Sequence, residues 1–338
     1  MDPTHVSGMV VDTLIDVSFS FVPVPGVPQL GSLLKDIIHF CNTVQVNRRV
    51  AQKLAERCIK FLEGFGSAVR HAITKEMRKL VGDAQTTLLR HQSNMITWSK
   101  YSYWESLARY QTISHGIEAC HTDITDLLDQ FQLVGYAEII SHLEAFEHGK
   151  KLDYAESTST LADEETGSQL AQLDTHAKEE AAKLIQERLV HQKETQRHLK
   201  GVHDALIKTL RTLLDSSQSL LPDMELKGGE VVESSEQPDR ICEGYDLKRG
   251  VYLGKVEVRL KVLRYVPFKE KPREMEVWTK RFAREAGLWV KVWKVDRGRY
   301  IVPFYGYHLS KFSSPYLVTR YMPEGDAITY VAVVEPAP

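Results

Sequence analysis

Cysteine is scarce and scattered. The four in this chain, at positions 41, 58, 120 and 242, show no C-x-x-C spacing. That argues against a disulfide framework and a cysteine zinc site, and suits a reducing compartment. Histidine is commoner, but His115 with His121 and His198 with His203 miss the i, i+4 spacing of a helical zinc motif, so no metal is expected. No P-loop and no G-x-S-x-G segment occurs. Net charge is almost absent, at −2 over 338 residues, which gives no overall pull towards nucleic acid. A long uncharged apolar run is also missing. The best candidate, residues 8–27, is interrupted by Asp12 and Asp16 and ended by Pro23, Pro25 and Pro28, whereas a span needs about 20 largely uncharged residues. It reads instead as an amphipathic or buried helix with Val6, Val10, Leu14, Val17 and Phe21 on one stripe. The opening residues lack the basic region of a secretory signal.

What is present divides into three regions. Residues 1–150 carry amphipathic helical patterns. Leu30, Leu33, Leu34, Ile37, Ile38 and Cys41 form one stripe, and Val50, Leu54, Ala55, Cys58, Ile59, Leu62 and Phe65 another. Further patterns run from Leu88 to Leu107 and from Ile113 to Phe131. Their lengths and short connections predict an up-and-down bundle. Residues 151–240 read as an acidic linker and a long helix. Positions 153–168 are rich in Ser, Thr, Asp and Glu and predict a mobile connector. A helix then follows over about 169–221, polar in its middle, apolar at both ends and closed by Pro222. Residues 241–338 change character. Positions 251–256 and 257–263 alternate with period two and predict strands, as do 300–307 and 316–319, while 275–293 returns to helical spacing. The fold class expected is α+β and multidomain.

The third region resembles the amino-terminal lobe of a protein kinase of the tyrosine-kinase-like group. Val258-Arg259-Leu260-Lys261 has the shape of the strand bearing the ATP-binding lysine, and Phe282-Ala283-Arg284-Glu285 that of the helix bearing its glutamate partner. Thr319 falls at the gatekeeper position, and Tyr321 and Met322 in the hinge. The resemblance implies a small antiparallel sheet with one helix, and Lys261, Glu285, Thr319, Tyr321 and Met322 as vestigial nucleotide-site residues. Two readings of Lys261 stand: a strand lysine paired with Glu285 for stability, or a nucleotide ligand. The glycine-rich G-x-G-x-x-G loop is absent, as are H-R-D-x-x-x-x-N, D-F-G and A-P-E segments, which supply the catalytic base, the metal ligand and the substrate platform. A non-enzyme is therefore expected, with no cofactor implied and ATP the single candidate.

Residues 28–135 resemble the four-helix membrane-active domain of the mixed-lineage-kinase-domain-like pseudokinase family, which is similar to the HeLo-like domains of cell-death proteins. The matching stretches are Val44 to Arg57 and Ile117 to Phe131, and the order of bundle, connecting helix and kinase-like lobe is the family's own. The resemblance implies a bundle restrained by a brace helix and the pseudokinase lobe. On release it self-associates and engages anionic membrane lipids, under a regulatory protein or kinase. It also implies a cytoplasmic protein recruited to the plasma membrane. Residues 48–80 hold nine basic residues against three acids. Arg48, Arg49, Lys53, Arg57 and Lys60 are the expected lipid-binding set, each worth about 1 kcal/mol near an anionic surface. The alternative for this cluster is a solvated helix face. Trp98, Tyr101, Tyr103 and Trp104 read either as interfacial anchors or as core packing.

Two further readings compete with cell-death or immune-type signalling. One is a scaffold or adaptor that binds partner helices. The other is part of an active kinase whose catalytic lobe is coded beyond residue 338, where 331–338 depart from the family pattern.

Overall fold

A computed structural model describes residues 26–69, 75–194, 200–217, 221–234, 237–264, 272–309 and 314–323. The expected opening helix, Arg70 and the closing residues 331–338 lie outside the described residues. The chain has mixed helix and antiparallel sheet, an α+β composition, and divides into two compact units, Met1–Thr160 and Leu161–Pro338.

In the first unit, α1 (Val27–Thr43) starts after Gly26, whose φ of 98° opens the turn, with Pro28 in its first turn. Its expected stripe is buried, with Leu30, Leu34 and Ile37 at 0% exposure. Asn47, at φ 59°, sets the corner into α2 (Arg48–Val69) and donates from Nδ2 to the Tyr110 carbonyl at 3.1 Å. Next come α3 (Lys75–Trp98), the short α4 (Tyr103–Ala108), α5 (Tyr110–Gln130) and α6 (Tyr136–Leu161). Ser102 and Glu105 form a capping box at the start of α4. Packing closes a ring in which α1 touches α2 and α3, and α5 touches the same two. The successive helices α2 and α3 thus occupy opposite corners, unlike the neighbour-to-neighbour order of an up-and-down bundle. Periodicity marks a buried face but does not say which helix will cover it. Phe61, Phe65 and Phe131 pack with centroids 5.1–5.6 Å apart. Trp98 lies across Gly116, where an added Cβ would come within 2.0 Å of the ring.

The expected mobile connector at 153–168 is not one. Helix α6 continues through Leu161, and α7 (Thr166–Leu170) follows with Thr166, Gly167 and Leu170 buried. The acidic composition misled because Asp153 and Ser157 lie on the packed side of α6, at 4% and 6% exposure. Their polar atoms are bonded rather than hydrated.

In the second unit, the single helix expected over 169–221 is two helices. These are α8 (Thr175–Glu194) and α9 (Lys200–Ser217), which pack side by side. The first half of the wholly polar stretch at 191–198, His191 to Glu194, is the last turn of α8. Helix α7 packs on α9, and Thr209 donates its hydroxyl to the Leu161 carbonyl at 3.0 Å. Gln186 of α8 bonds both the amide and the carbonyl of Asp223, tying the helix to the segment that enters the sheet.

The sheet has the order β1-β3-β4-β6-β5, with β2 also pairing β3, all antiparallel. Its strands are β1 (Val231–Glu233), β2 (Arg240–Cys242), β3 (Tyr245–Tyr252), β4 (Val256–Leu263), β5 (Phe304–His308) and β6 (Tyr316–Arg320). The first expected strand, 251–256, contains the β3–β4 turn. Leu253 and Gly254 adopt φ 48° and 66° there, the left-handed pair a tight hairpin demands. The expected strand at 300–307 begins only at Phe304, because Asp296 accepts the amides of Tyr300 and Ile301 and holds them in a turn. Helix α10 (Pro272–Asp296) buries Phe282, Ala286 and Trp293 against Phe304, Leu317 and Met224.

Candidate functional sites

Strand β4 alternates. Val258, Leu260 and Val262 are buried, while Arg259 and Lys261 point to the other face, where α10 lies. From α10, Glu285 meets Lys261 at 2.6 Å, so the structure joins the two residues the sequence paired. Both side chains are about two-fifths exposed, at 39% and 42%, and the Lys261 ammonium sits 4.9 Å from the centre of the Tyr245 ring. Thr319 lies opposite Arg259 in the β4–β6 register. Tyr321 is held between two guanidinium groups, Arg249 at 4.6 Å and Arg259 at 5.0 Å from its centroid. Met322 is exposed. The sequence offered Arg259 only as part of the lysine-bearing motif. Its alternation with Lys261 along one strand is the signal that it shares that face. Arg259 and Tyr321 therefore fill space beside Lys261 with the protein's own side chains. The β3–β4 turn spans Leu253 to Lys255, with Lys255 paired to Asp215 at 3.2 Å. It has no room for a loop whose amides wrap phosphates.

The five basic residues of α2 do not form one open surface. Arg48 is exposed and donates to the Gln45 carbonyl. Arg49 binds Asp153 at 3.0 Å and also Glu156. Lys53 pairs with Glu56 of its own helix at 2.8 Å. Lys60 pairs with Glu138 at 3.3 Å. Arg57 is not on the surface at all, at 1% exposure. Helix α6 thus supplies three acids, Glu138, Asp153 and Glu156, to the basic residues of α2. Asp153 also accepts the amides of Arg49 and Val50, at 3.0 and 3.1 Å. It caps the start of α2 as a side chain from another helix. Burial holds its carboxyl above the usual range, against the lowering effect of those donors.

Helices α2, α5 and α6 also share a buried polar centre that the sequence did not reveal. His121 of α5 is 1% exposed and stacks against two rings of α6, Phe146 at 4.0 Å and His142 at 5.3 Å. Arg57 of α2 adds a positive charge near both imidazoles. Two guanidinium nitrogens of Arg57, Nε and Nη2, and His121 Nε2 have no hydrogen-bond partner among the described residues. His142 donates from Nε2 to the Lys53 carbonyl at 3.1 Å. Burial, then His142 and Arg57, push His121 down to about 3. Burial and Arg57 also lower His142. Burial lowers Arg57 itself, opposed by Glu138.

The aromatic group at 98–104 is half-buried. Trp98 contacts Phe40 as well as Gly116, Tyr103 meets Trp104 edge to face, and Tyr101 carries Arg109 at 5.0 Å. Among the described residues no cluster of His, Cys, Asp or Glu is suited to a metal ion, and no helix is long and apolar enough to cross a membrane. Comparison with protein-family models, characterised proteins and solved structures finds no match to the chain.

Proposed function

We propose that this is a non-catalytic signalling protein whose helical unit engages anionic membrane lipids when α6 leaves α2, in the manner of cell-death and immune executioners. One observation carries the reading: Glu138, Asp153 and Glu156 of α6 occupy Lys60 and Arg49 of α2. In the docked state Arg49 and Lys60 are therefore neutralised by acids of α6. Displacing α6 uncovers Arg49 and Lys60 beside Arg48, with Lys53 one turn away. Arg48, Arg49 and Lys60 near an anionic surface contribute about 3 kcal/mol together, a weak attachment that self-association would multiply.

The sheet unit is regulatory in this reading. Lys261 and Glu285 act as a surface ion pair, and no nucleotide is required. The test is co-sedimentation of the full chain with phosphatidylserine vesicles, with Glu138, Asp153 and Glu156 intact or replaced by alanine. Release should raise binding, and added Arg48→Glu and Arg49→Glu should abolish the gain.

A second reading, an adaptor, is favoured by α10. Its outer face exposes Leu288 at 62%, Val292 at 46% and Val295 at 88%, an apolar stripe of the kind that docks a partner helix. Stoichiometric capture of a partner by the full chain, lost on Leu288→Glu and Val292→Glu and accompanied by no vesicle binding, would select it.

A further inference from the structure

The geometry points to a proton-operated latch. Protonation of His121 and His142 drives α6 off the bundle, so mild acidification is the releasing signal. The inference deepens the proposed function by naming its regulation, and it rests on α6 being the releasable cover of α2.

Helix α6 is poorly suited to permanent docking. Its buried positions are Phe146, Gly149, Asp153, Ser157 and Leu161, so within the first unit Phe146 is the one large apolar anchor. Gly149 permits close approach, since a Cβ there would stand 3.3 Å from Arg49 Cβ. Its ties to the bundle include polar ones: Asp153 at the start of α2, Lys60 to Glu138, and Lys150 to Glu118 of α5 at 2.7 Å. Such an element opens at lower free energy than the four-helix core.

The Phe146 anchor lies directly on His121, and the next turn of α6 places His142 on the same imidazole. All the surrounding charges bear on what a proton does there. From α2 come Lys53, Glu56 and Arg57, with Arg57 buried and lacking partners for two nitrogens. From α5 come Cys120, Glu118 and Asp123, but Glu118 is bound to Lys150, and Asp123 to His91 and Arg90 of α3. From α6 comes Glu138, already bound to Lys60. The acids are committed elsewhere, and Arg57 is the buried charge. A proton on His121 therefore adds like charge to a buried site, which burial makes costly, and one on the half-buried His142 adds like charge beside it.

The sign follows from linkage. Undocking returns both histidines to water, near 6.5, while the docked protein keeps His121 neutral down to about 3. The undocked state binds more protons between those limits. Docking is fully supported above about pH 6.5 and weakens as pH falls. At pH 5.5 each histidine that stays neutral when docked shifts the equilibrium towards release about tenfold.

Hydrogen exchange by mass spectrometry on the full chain, corrected for intrinsic exchange, tests this at pH 7.5 and 5.5. Peptides of α6 should lose about tenfold or more in protection, with α1 and β4 peptides unchanged. His121→Phe should remove about one tenfold factor, and His142→Gln should reduce the pH dependence further. His142→Gln guards against failure of the buried variant to fold. Unchanged α6 protection, loss shared equally by α1 and β4, or full pH dependence in His142→Gln would overturn the latch. Release at pH 5.5 without vesicle binding would retain the latch and remove the membrane reading. Vesicle binding of the acid-stripped α6 variant without pH-dependent exchange would do the reverse.

Discussion

Asp153 and Val50 are 103 residues apart in sequence, yet the Val50 amide donates to Asp153 Oδ2 at 3.1 Å. One carboxylate thereby ends a helix that it does not belong to and binds Arg49 as well. The tie between α2 and α6 is therefore concentrated in a few groups that single substitutions can remove.

Asp153→Ala should lower stability by about 2 kcal/mol, the upper range for loss of a helix cap, whereas Asp153→Asn, which can still accept the amides, should cost less. Urea denaturation followed by circular dichroism checks the order. Equal losses in both variants would mean that charge, not capping, is the source.

Arg57→Met should stabilise the fold or leave it unchanged. The side chain is buried with two unpaired nitrogens, and replacing such a charge by an apolar group of similar length often gains about 1–4 kcal/mol. It should also lift the His121 titration, since Arg57 contributes to its depression. Thermal denaturation and proton NMR of the imidazoles measure both. A large loss of stability would show that Arg57 is paired in solution.

Gly116→Ala should destabilise by about 1–3 kcal/mol, the usual cost of overpacking, because the new methyl would meet Trp98. Tryptophan fluorescence during denaturation reports it. A neutral result would mean that Trp98 is free to move aside.

Lys261 and Glu285 should show a coupling energy below about 1 kcal/mol in a double-mutant cycle, as solvent-screened pairs do, given the two-fifths exposure of both side chains. ATP should not shift the melting temperature of the wild type. A clear shift that disappears in Lys261→Met would restore the nucleotide reading.

Much of this was legible in sequence where one periodicity governs. The stripes of α1 and α2 are buried as spaced, and Lys261 and Glu285 meet because α10 packs on the face of β4 that carries Lys261. The failures have a common origin. Asp153 and Ser157 looked solvated because composition does not record which helix end a carboxylate faces. Arg57 looked like its exposed neighbours, yet its position on α2 turns it beneath α6. Leu253 gave no turn signal, and only its positive φ beside Gly254 reveals the hairpin.

The central claim is that docked α6 keeps the basic residues of α2 from lipid. It is tested most directly by vesicle co-sedimentation of the full chain carrying Glu138→Ala, Asp153→Ala and Glu156→Ala, beside a control of equal charge change carrying Asp126→Ala, Asp129→Ala and Glu144→Ala at exposed sites. The first protein should bind phosphatidylserine vesicles at least tenfold more tightly than the second, with the difference lost at high salt. Equal binding by the two proteins would contradict it.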